Sequence, residues 1–543
     1  MFKEHKKNIL IITILSILIM VVLSLDLKLL SHDMNFHLAN IDNLKNYLDI
    51  FKGKILAPDI MPNIADNLGY GLYIFYPSLP HLIFASAFKI LAIFGTDILL
   101  SNMIVNTFIT IISSLLIYEL MYKISKNKNM ALISSITYIF FPYRLSCIFI
   151  RYSINETFIS LFIPLILIAL YELKEKNYKN FSIYFIIGYI GMIYSHLVMT
   201  LYLTIILIPF IFFYFKDLFN KKSLKYIIGS ILFVSVFVMP NIINVLVHRD
   251  SNYLLDVNGY MTSVGLLEQN VMDFSRYFTL TSDKWDVQMF IPIMYIIGLL
   301  ITLFYFIKEK KKVDKFYFFI LSSLVISILI TLPFFPWNSL PESLHMIQFP
   351  WRMMSFITVL ISILVPFGLS KIKFKYTYII YVVCLLLLLI PLINHFNSRY
   401  YKHEEIDYNL GVGNLKEYYP IEQYYSEEYY KNRNNDVILV TGEASIKQIN
   451  TKFPNYKFEI ENNKNARVEI PRLYYKGYEF KINGNKYEYH RSKNGLIEIT
   501  CYENGLYEIT YKGHIYKRIF VGIKYITLVI VIGFLIRRKY KQR

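Results

Sequence analysis

The sequence predicts a polytopic α-helical membrane protein that carries a small β-rich domain on its outer, non-cytoplasmic side. Its 543 residues are 55% hydrophobic and only 18% charged, which is too apolar for a soluble chain of this length. Apolar stretches recur along the chain, and they are long enough to cross about 30 Å of hydrocarbon as helices. Because backbone groups in lipid must bond within their own segment, helices are the expected form.

The positive charge is concentrated between the apolar stretches, and this placement orients the chain. A net charge of +18 is compatible with nucleic-acid binding, but the cations lie in short loops between the predicted helices. If every cluster faces the cytoplasm, no loop conflicts with the positive-inside rule, and both termini lie inside. The clusters lie at residues 3–7, 123–128, 174–179, 216–225, 308–315, 371–375 and 537–543.

About twelve transmembrane helices fit this orientation. The first is expected to stay as an anchor, because no small-residue cleavage site follows Leu25. The predicted spans are 9–30, 98–122, 130–148, 157–173, 180–195, 197–215, 226–247, 288–307, 316–333, 353–370, 376–394 and 518–536.

The outer segments have patterns of their own. In the first outer loop, residues 31–97, Met34, Leu38, Ile41 and Leu44 form the apolar stripe of a helix lying on a membrane surface. In residues 437–513, apolar and polar residues alternate between three Asn-Gly dipeptides, which predicts an antiparallel β meander or sandwich.

The predicted domain order follows from these patterns. It comprises a transmembrane helical domain at 1–395, an outer connecting segment at 396–436, an extracytoplasmic β-rich domain at 437–517, and a final helix with a basic cytoplasmic tail at 518–543.

Polar and ionisable side chains gather at the outer ends of the predicted helices. Such groups are costly near hydrocarbon, so their convergence predicts a functional site. The residues are His32, Asp33, His37, Arg144, Arg151, Glu156, His196, His345, Gln348 and Arg352.

Plain structural roles compete with this interpretation. Arg151 and Glu156 have the spacing of an interfacial ion pair. His196, beside Ser195, suits a packing histidine, and Arg352, beside Trp351, suits an interface anchor.

These stretches resemble a family of bacterial membrane proteins labelled 6-pyruvoyl-tetrahydropterin synthase-related. The matching motifs are His32-Asp33-Met34-Asn35-Phe36-His37-Leu38, Gly69-Tyr70-Gly71 with Phe75-Tyr76-Pro77, Pro142-Tyr143-Arg144 with Arg151 and Asn155-Glu156, Ser195-His196, and Gln348-Phe349-Pro350-Trp351-Arg352. More broadly the chain is similar to the membrane-embedded, GT-C-type glycosyltransferases that use polyprenyl-phosphate sugars.

The resemblance implies a transferase of the cell membrane that moves sugar to a cell-envelope polysaccharide or glycolipid at the outer face. Asp33 would then be the catalytic base, with His32 or His37 tuning it or holding a divalent cation. Arg144, Arg151 and Arg352 would clamp the lipid phosphate, with Glu156, His196, His345 and Gln348 in the same substrate site. The metal stays unassigned, because His32, Asp33, His37 and His196 do not have a known ligand spacing.

Two further interpretations remain open. A transporter or flippase for a lipid-linked saccharide would also gather cations near the membrane face, although usually near the bilayer midplane. A non-catalytic scaffold would use the β-rich domain to recruit envelope partners.

The charge pattern predicts that Lys310 is cytoplasmic and that residues 396–517 face outward. Cysteine labelling checks this in intact cells. A Lys310→Cys variant should resist a membrane-impermeant thiol reagent, whereas Lys493→Cys should react; labelling of Lys310→Cys from outside would overturn the topology.

Overall fold

The structure is a computed structural model, and it describes residues 2–24, 32–249, 264–280, 287–397, 418–422, 429 and 435–541. Most of the predicted connecting segment, 396–436, and the end of the first predicted span lie outside the described residues, as does much of the loop at 248–287.

The described chain is mostly helical. Its helices are α1 (Phe2–Ser24), α2 (Met34–Tyr47), α3 (Leu72–Phe75), α4 (Leu79–Leu91), α5 (Ile98–Ser125), α6 (Lys128–Ile139), α7 (Pro142–Phe149), α8 (Ile154–Ile159), α9 (Phe162–Lys174), α10 (Tyr178–Ser195), α11 (Leu197–Ile206), α12 (Ile208–Leu218), α13 (Lys221–Arg249), α14 (Val264–Gln269), α15 (Ile293–Lys308), α16 (Lys315–Thr331), α17 (Met354–Leu369), α18 (Thr377–Asn397) and α19 (Ile515–Lys541).

Each predicted span falls on a helix or on a bent helix pair, so the helical form of these segments is confirmed. In the described part of the chain, six helices are long and apolar enough to cross a membrane, or up to eight if each bent pair is one span. The pairs are α6 with α7, bent by 43°, and α11 with α12, bent by 60°. The number of twelve crossings stays a prediction.

The chain forms two compact units. The first comprises Met1–His37, Leu79–Leu232 and Gly259–Glu405, and the second comprises Leu38–Ser78, Phe233–Asn258 and Ile406–Arg543. In the first unit the segment Pro350–Leu369 is 89% buried, whereas Thr377–Asn394 is 17% buried. The helix α17 therefore lies at the centre of that unit and α18 at its periphery.

Ion pairs join one set of helix ends in the first unit. Lys123 at the end of α5 lies 2.7 Å from Glu172 at the end of α9, and Lys371 after α17 lies 2.7 Å from Glu309 after α15. These cations belong to the clusters predicted to face the cytoplasm. The opposite ends, where α8 leads into α9 and where α17 begins, carry Glu156 and Arg352.

The second unit contains one antiparallel sheet of seven strands, which confirms a β-rich segment. The strands are β1 (Ile438–Asn450), β2 (Asn455–Leu473), β3 (Tyr478–Ile482), β4 (Asn485–Tyr487), β5 (His490–Arg491), β6 (Leu496–Thr500) and β7 (Gly505–Tyr511). β1 pairs with both halves of β2, whose first half also pairs with β7 and whose second half pairs with β6. Asn462 and Asn465, both with positive φ, separate the two halves.

Two of the three Asn-Gly dipeptides form the expected hairpins, β3–β4 and β5–β6. The third expectation is wrong, because β6 and β7 each pair with β2 and not with one another. The Asn504 side chain instead accepts a hydrogen bond from the Asn463 backbone, and the Asn504 carbonyl accepts one from the Asn483 amide. Long-range pairing has overridden the local turn signal.

The loop before α3 packs on the end of β2, so two motifs distant in sequence meet in the second unit. Leu473 donates a backbone hydrogen bond of 3.0 Å to the carbonyl of Leu68, and the Arg472 guanidinium donates to the carbonyl of Asn67. A Cβ added at Gly71 would lie 2.6 Å from the ring of Tyr475. Only glycine allows this close approach.

We expect Gly71→Ala to destabilise the protein by about 1–3 kcal/mol, because the new methyl group must displace the Tyr475 ring. Thermal unfolding of the purified protein in neutral detergent measures the change. Gly522→Ala is the matched control, because a Cβ there meets no atom within 4 Å. Equal transitions for the two variants would contradict the close packing.

Candidate functional site

A buried carboxylate, Glu156, lies at the centre of the polar cluster in the first unit. The guanidinium of Arg151 donates a 2.6 Å hydrogen bond to its Oε1. Nε of Arg352 lies 3.0 Å from the same oxygen, although not aligned as a hydrogen bond. The hydroxyl of Tyr143 donates to the other oxygen, Oε2, at 3.0 Å. Both oxygens of Glu156 are thus occupied by donors.

The two arginines lie in segments of irregular backbone that place them beside this carboxylate. Arg151 lies between α7 and α8 and is followed by Tyr152 with φ of 53°, while Arg352 follows Gln348 with φ of 62°. Left-handed backbone at such residues costs free energy and persists only where surrounding contacts fix it. The ring of Trp351, 4.5 Å from the Arg151 guanidinium, supplies one such contact.

Hydrogen bonds connect the cluster to the break between α10 and α11 and to α11 itself. Asn155 donates a 2.7 Å hydrogen bond to the carbonyl of Ser195, which holds α8 against this break. Tyr202 of α11 donates to the carbonyl of Phe349 at 2.8 Å, which fixes the turn that carries Arg352. Three motifs that are far apart in sequence are therefore joined by hydrogen bonds.

Asp33 is the partly exposed carboxylate of the cluster. Its Oδ2 lies 4.0 Å from the Arg151 guanidinium, and 43% of its side chain is accessible. Its backbone amide donates a 3.0 Å hydrogen bond to the carbonyl of Arg151, so the position of Asp33 is fixed by the same loop. Asp33 thus combines a held backbone with a side chain open to a ligand.

Arg352 offers the accessible donors. Its side chain is 15% exposed, whereas that of Arg151 is 6% exposed. Among the described residues, none accepts a hydrogen bond from its terminal nitrogens Nη1 and Nη2. Because its Nε faces Glu156, the two terminal groups remain available to an anion.

His196 caps a helix beside the cluster. Its Nδ1 accepts the backbone N–H of Met199 at 3.5 Å, as an N-cap side chain does. Burial first, and then the positive charge of Arg352, lower the pKa of His196 to about 3. A neutral imidazole is therefore expected at physiological pH.

Arg144 is not placed with the accessible donors. It is buried in α7, where it donates to the hydroxyl of Thr110 and to the carbonyl of Ile139. It lines a cavity of about 20 Å³ that Glu156 also borders. This volume suits one water molecule and is too small for a phosphate group.

His37 faces another histidine. Its Nδ1 lies 2.8 Å from Nε2 of His81, and both rings are buried. Burial first, and then the nearby Arg151, lower the pKa of His37 to about 3. The His37 side chain is therefore expected to be neutral at physiological pH and to pair with His81.

The remaining predicted residues lie in nearby turns. His345 is buried with Nε2 3.3 Å from the carbonyl of Trp337, and His32 is an exposed residue whose amide donates to the carbonyl of Ile150. Gln348 has a positive φ of 62° in the turn before Arg352. In the described residues, no three His, Cys, Asp or Glu side chains are grouped to hold a metal ion, so a site of His32, Asp33, His37 and His196 is not formed.

The segment between the third and fourth predicted spans is partly helical. Arg144 lies within α7 and Glu156 within α8, because Pro142 starts a helix that bends away from α6. Tyr143, His81 and Trp351 were missed as partners. Tyr143 and Trp351 adjoin recognised arginines in the sequence, whereas nothing local marks His81.

In comparisons with known proteins, no protein-family model and no curated protein matches this chain.

We expect Glu156→Gln to destabilise the protein by about 3–5 kcal/mol, because it leaves the buried guanidinium of Arg151 and the partly exposed guanidinium of Arg352 without their counter-charge. Unfolding in neutral detergent measures the loss. Glu443→Gln removes a surface pair with Lys464, both side chains 73% exposed, and should leave the transition unchanged. A small effect of Glu156→Gln would show that the arginines do not depend on this carboxylate.

Proposed function

We propose that this chain is a membrane-embedded glycosyltransferase that moves a sugar from a polyprenyl phosphate to a cell-envelope acceptor at the outer membrane face. The observation that carries the proposal is one cluster that holds both a half-exposed carboxylate, Asp33, and a partly exposed guanidinium, Arg352. The two are linked through Arg151 and Glu156. A proton acceptor and a cationic donor in one site are what base-assisted transfer from a phosphate donor requires. The proposal includes the resemblance to GT-C-type enzymes.

A lipid environment for the helices is supported by their surfaces. Large apolar side chains on several helices are more than half exposed, including Leu10 at 58%, Leu387 at 59% and Val529 at 69%. Extended apolar surfaces of this kind are not stable in water. A polyprenyl donor, which resides in the bilayer, would reach the cluster along such surfaces.

The chemistry assigns one task to each accessible group. The acceptor hydroxyl gives its proton to the carboxylate of Asp33 as its oxygen attacks the anomeric carbon of the sugar. The bond from that carbon to the phosphate oxygen breaks, and the lipid phosphate leaves with the electron pair. The terminal N–H groups of Arg352 stabilise the charge on the leaving phosphate. Glu156 holds the arginines and takes no proton.

A lipid-linked saccharide transporter is the second candidate. The bends of 43° between α6 and α7 and of 60° between α11 and α12 favour it, because transporters build binding sites on broken helices. The half-exposed carboxylate of Asp33 favours transfer, because attack by an acceptor hydroxyl needs a group that takes its proton.

The test compares two variants in membranes supplied with radiolabelled polyprenyl-phosphate sugars. Asp33→Asn keeps the shape of the side chain but removes the proton acceptor, so transfer should fall about 10²-fold or more. Arg352→Lys should raise KM for the donor, because one ammonium cannot serve both Glu156 and a phosphate.

Matched controls separate chemistry from folding. Asp49→Asn alters a carboxylate that is 39% exposed, close to the 43% of Asp33, and should keep full transfer. Arg467→Lys alters a surface arginine of β2. Full activity of Asp33→Asn would end the base assignment. Movement of a lipid-linked saccharide across vesicles without transfer to any acceptor would favour the transporter.

A further inference from the structure

A second polar pocket lies in the second unit, where the sheet leads into α19. Its volume is about 490 Å³, which is in the range of small-molecule sites. The turn between β1 and β2 contributes Phe453, the end of β7 contributes Tyr511, and the first turns of α19 contribute Lys517 and Arg518. The loop before α3 contributes Asp59.

The floor of the pocket is a closed network. The hydroxyl of Tyr511 donates to Oδ2 of Asp59 at 3.1 Å, and Lys517 forms an ion pair with the other oxygen. The Asp59 side chain is only 10% exposed. The negative charge of Asp59 therefore neutralises Lys517 and leaves the other cations of the pocket unbalanced.

The mouth of the pocket carries the unbalanced charge. Lys512 forms an ion pair of 2.6 Å with Glu479. Arg518 is exposed, and among the described residues no carboxylate pairs with its guanidinium. The lining therefore has three cations and one carboxylate, and the excess lies at Arg518. Such a pocket favours an anion that accepts several hydrogen bonds, as a phosphate group does.

Apolar side chains surround this cationic rim. Ile515, Tyr516 and Ile519 on the first turns of α19 are 53%, 58% and 50% exposed. Alternation of exposed apolar groups, a tyrosine and cations at the start of an apolar helix is typical of a segment at the lipid headgroup level. A ligand with a phosphate and acyl chains would satisfy both the rim and this surface.

We propose that this pocket binds the phosphate headgroup of an anionic membrane lipid, with Arg518 as the principal contact and the acyl chains along Ile519. The inference rests on the proposed function only in placing α19 in a bilayer. A net-negative headgroup is preferred to a zwitterionic one, because the pocket carries excess positive charge.

Native mass spectrometry of the full-length protein in neutral detergent tests the proposal by titration with phosphatidylglycerol or phosphatidylcholine. We expect phosphatidylglycerol to bind more tightly than phosphatidylcholine, and Arg518→Gln to weaken its binding about tenfold. Arg467→Gln, the same change on the sheet surface, should have no effect. Inorganic phosphate at the same concentration should not compete.

Each other outcome overturns the assignment. Equal binding by Arg518→Gln and Arg467→Gln would remove Arg518 from the site, and equal binding of the two lipids would remove the charge argument. Competition by inorganic phosphate would assign the pocket to a soluble anion. Asp33→Asn should bind phosphatidylglycerol as the wild type does. The result of the lipid-binding test therefore does not depend on whether the transferase assay succeeds.

Discussion

The ion pairs of Glu156 hold the polar cluster of the helical unit together. A buried carboxylate beside one buried and one partly exposed guanidinium group is tolerable among apolar helices only as a paired set, because each buried charge alone would carry a large desolvation penalty. The pairing draws in the loop of Arg151 and the turn of Arg352, and Tyr143 supplies a further donor. The positive φ angles of Tyr152 and Gln348 persist because these contacts fix the backbone on both sides.

This arrangement separates a buried, fully paired carboxylate from a half-exposed one. The Glu156 side chain is fully buried, and both of its oxygens are occupied by donors. Asp33 is held through its backbone and is open at its side chain. Arg151 lies between them, in a 2.6 Å ion pair with Glu156 and 4.0 Å from Oδ2 of Asp33.

The fold was largely predictable because its signals are long or periodic. Apolar runs bounded by lysine clusters identified the helical segments, and alternation identified the sheet. Asn504-Gly505 gave a wrong prediction, because a turn dipeptide does not specify the strands with which its neighbouring strands pair. Here β2 is long enough to pair with both β6 and β7. The cluster was predictable as a set of costly charges. The pairing of His37 with His81 was not, because the two histidines are 44 residues apart and nothing local in the sequence marks them as partners.

The position of Arg352 also determines how donor binding and stability are coupled. Its Nε lies 3.0 Å from Glu156 and its side chain is 15% exposed, so one side chain contributes to the buried pair and would also make the proposed phosphate contact. A phosphate that binds there adds a counter-ion to a cluster in which two guanidinium groups already share one buried carboxylate. Ligand binding to the native state must then stabilise the fold by mass action. Under the proposed function, Arg352→Lys would leave either Glu156 or the phosphate without a donor, because lysine carries a single ammonium group.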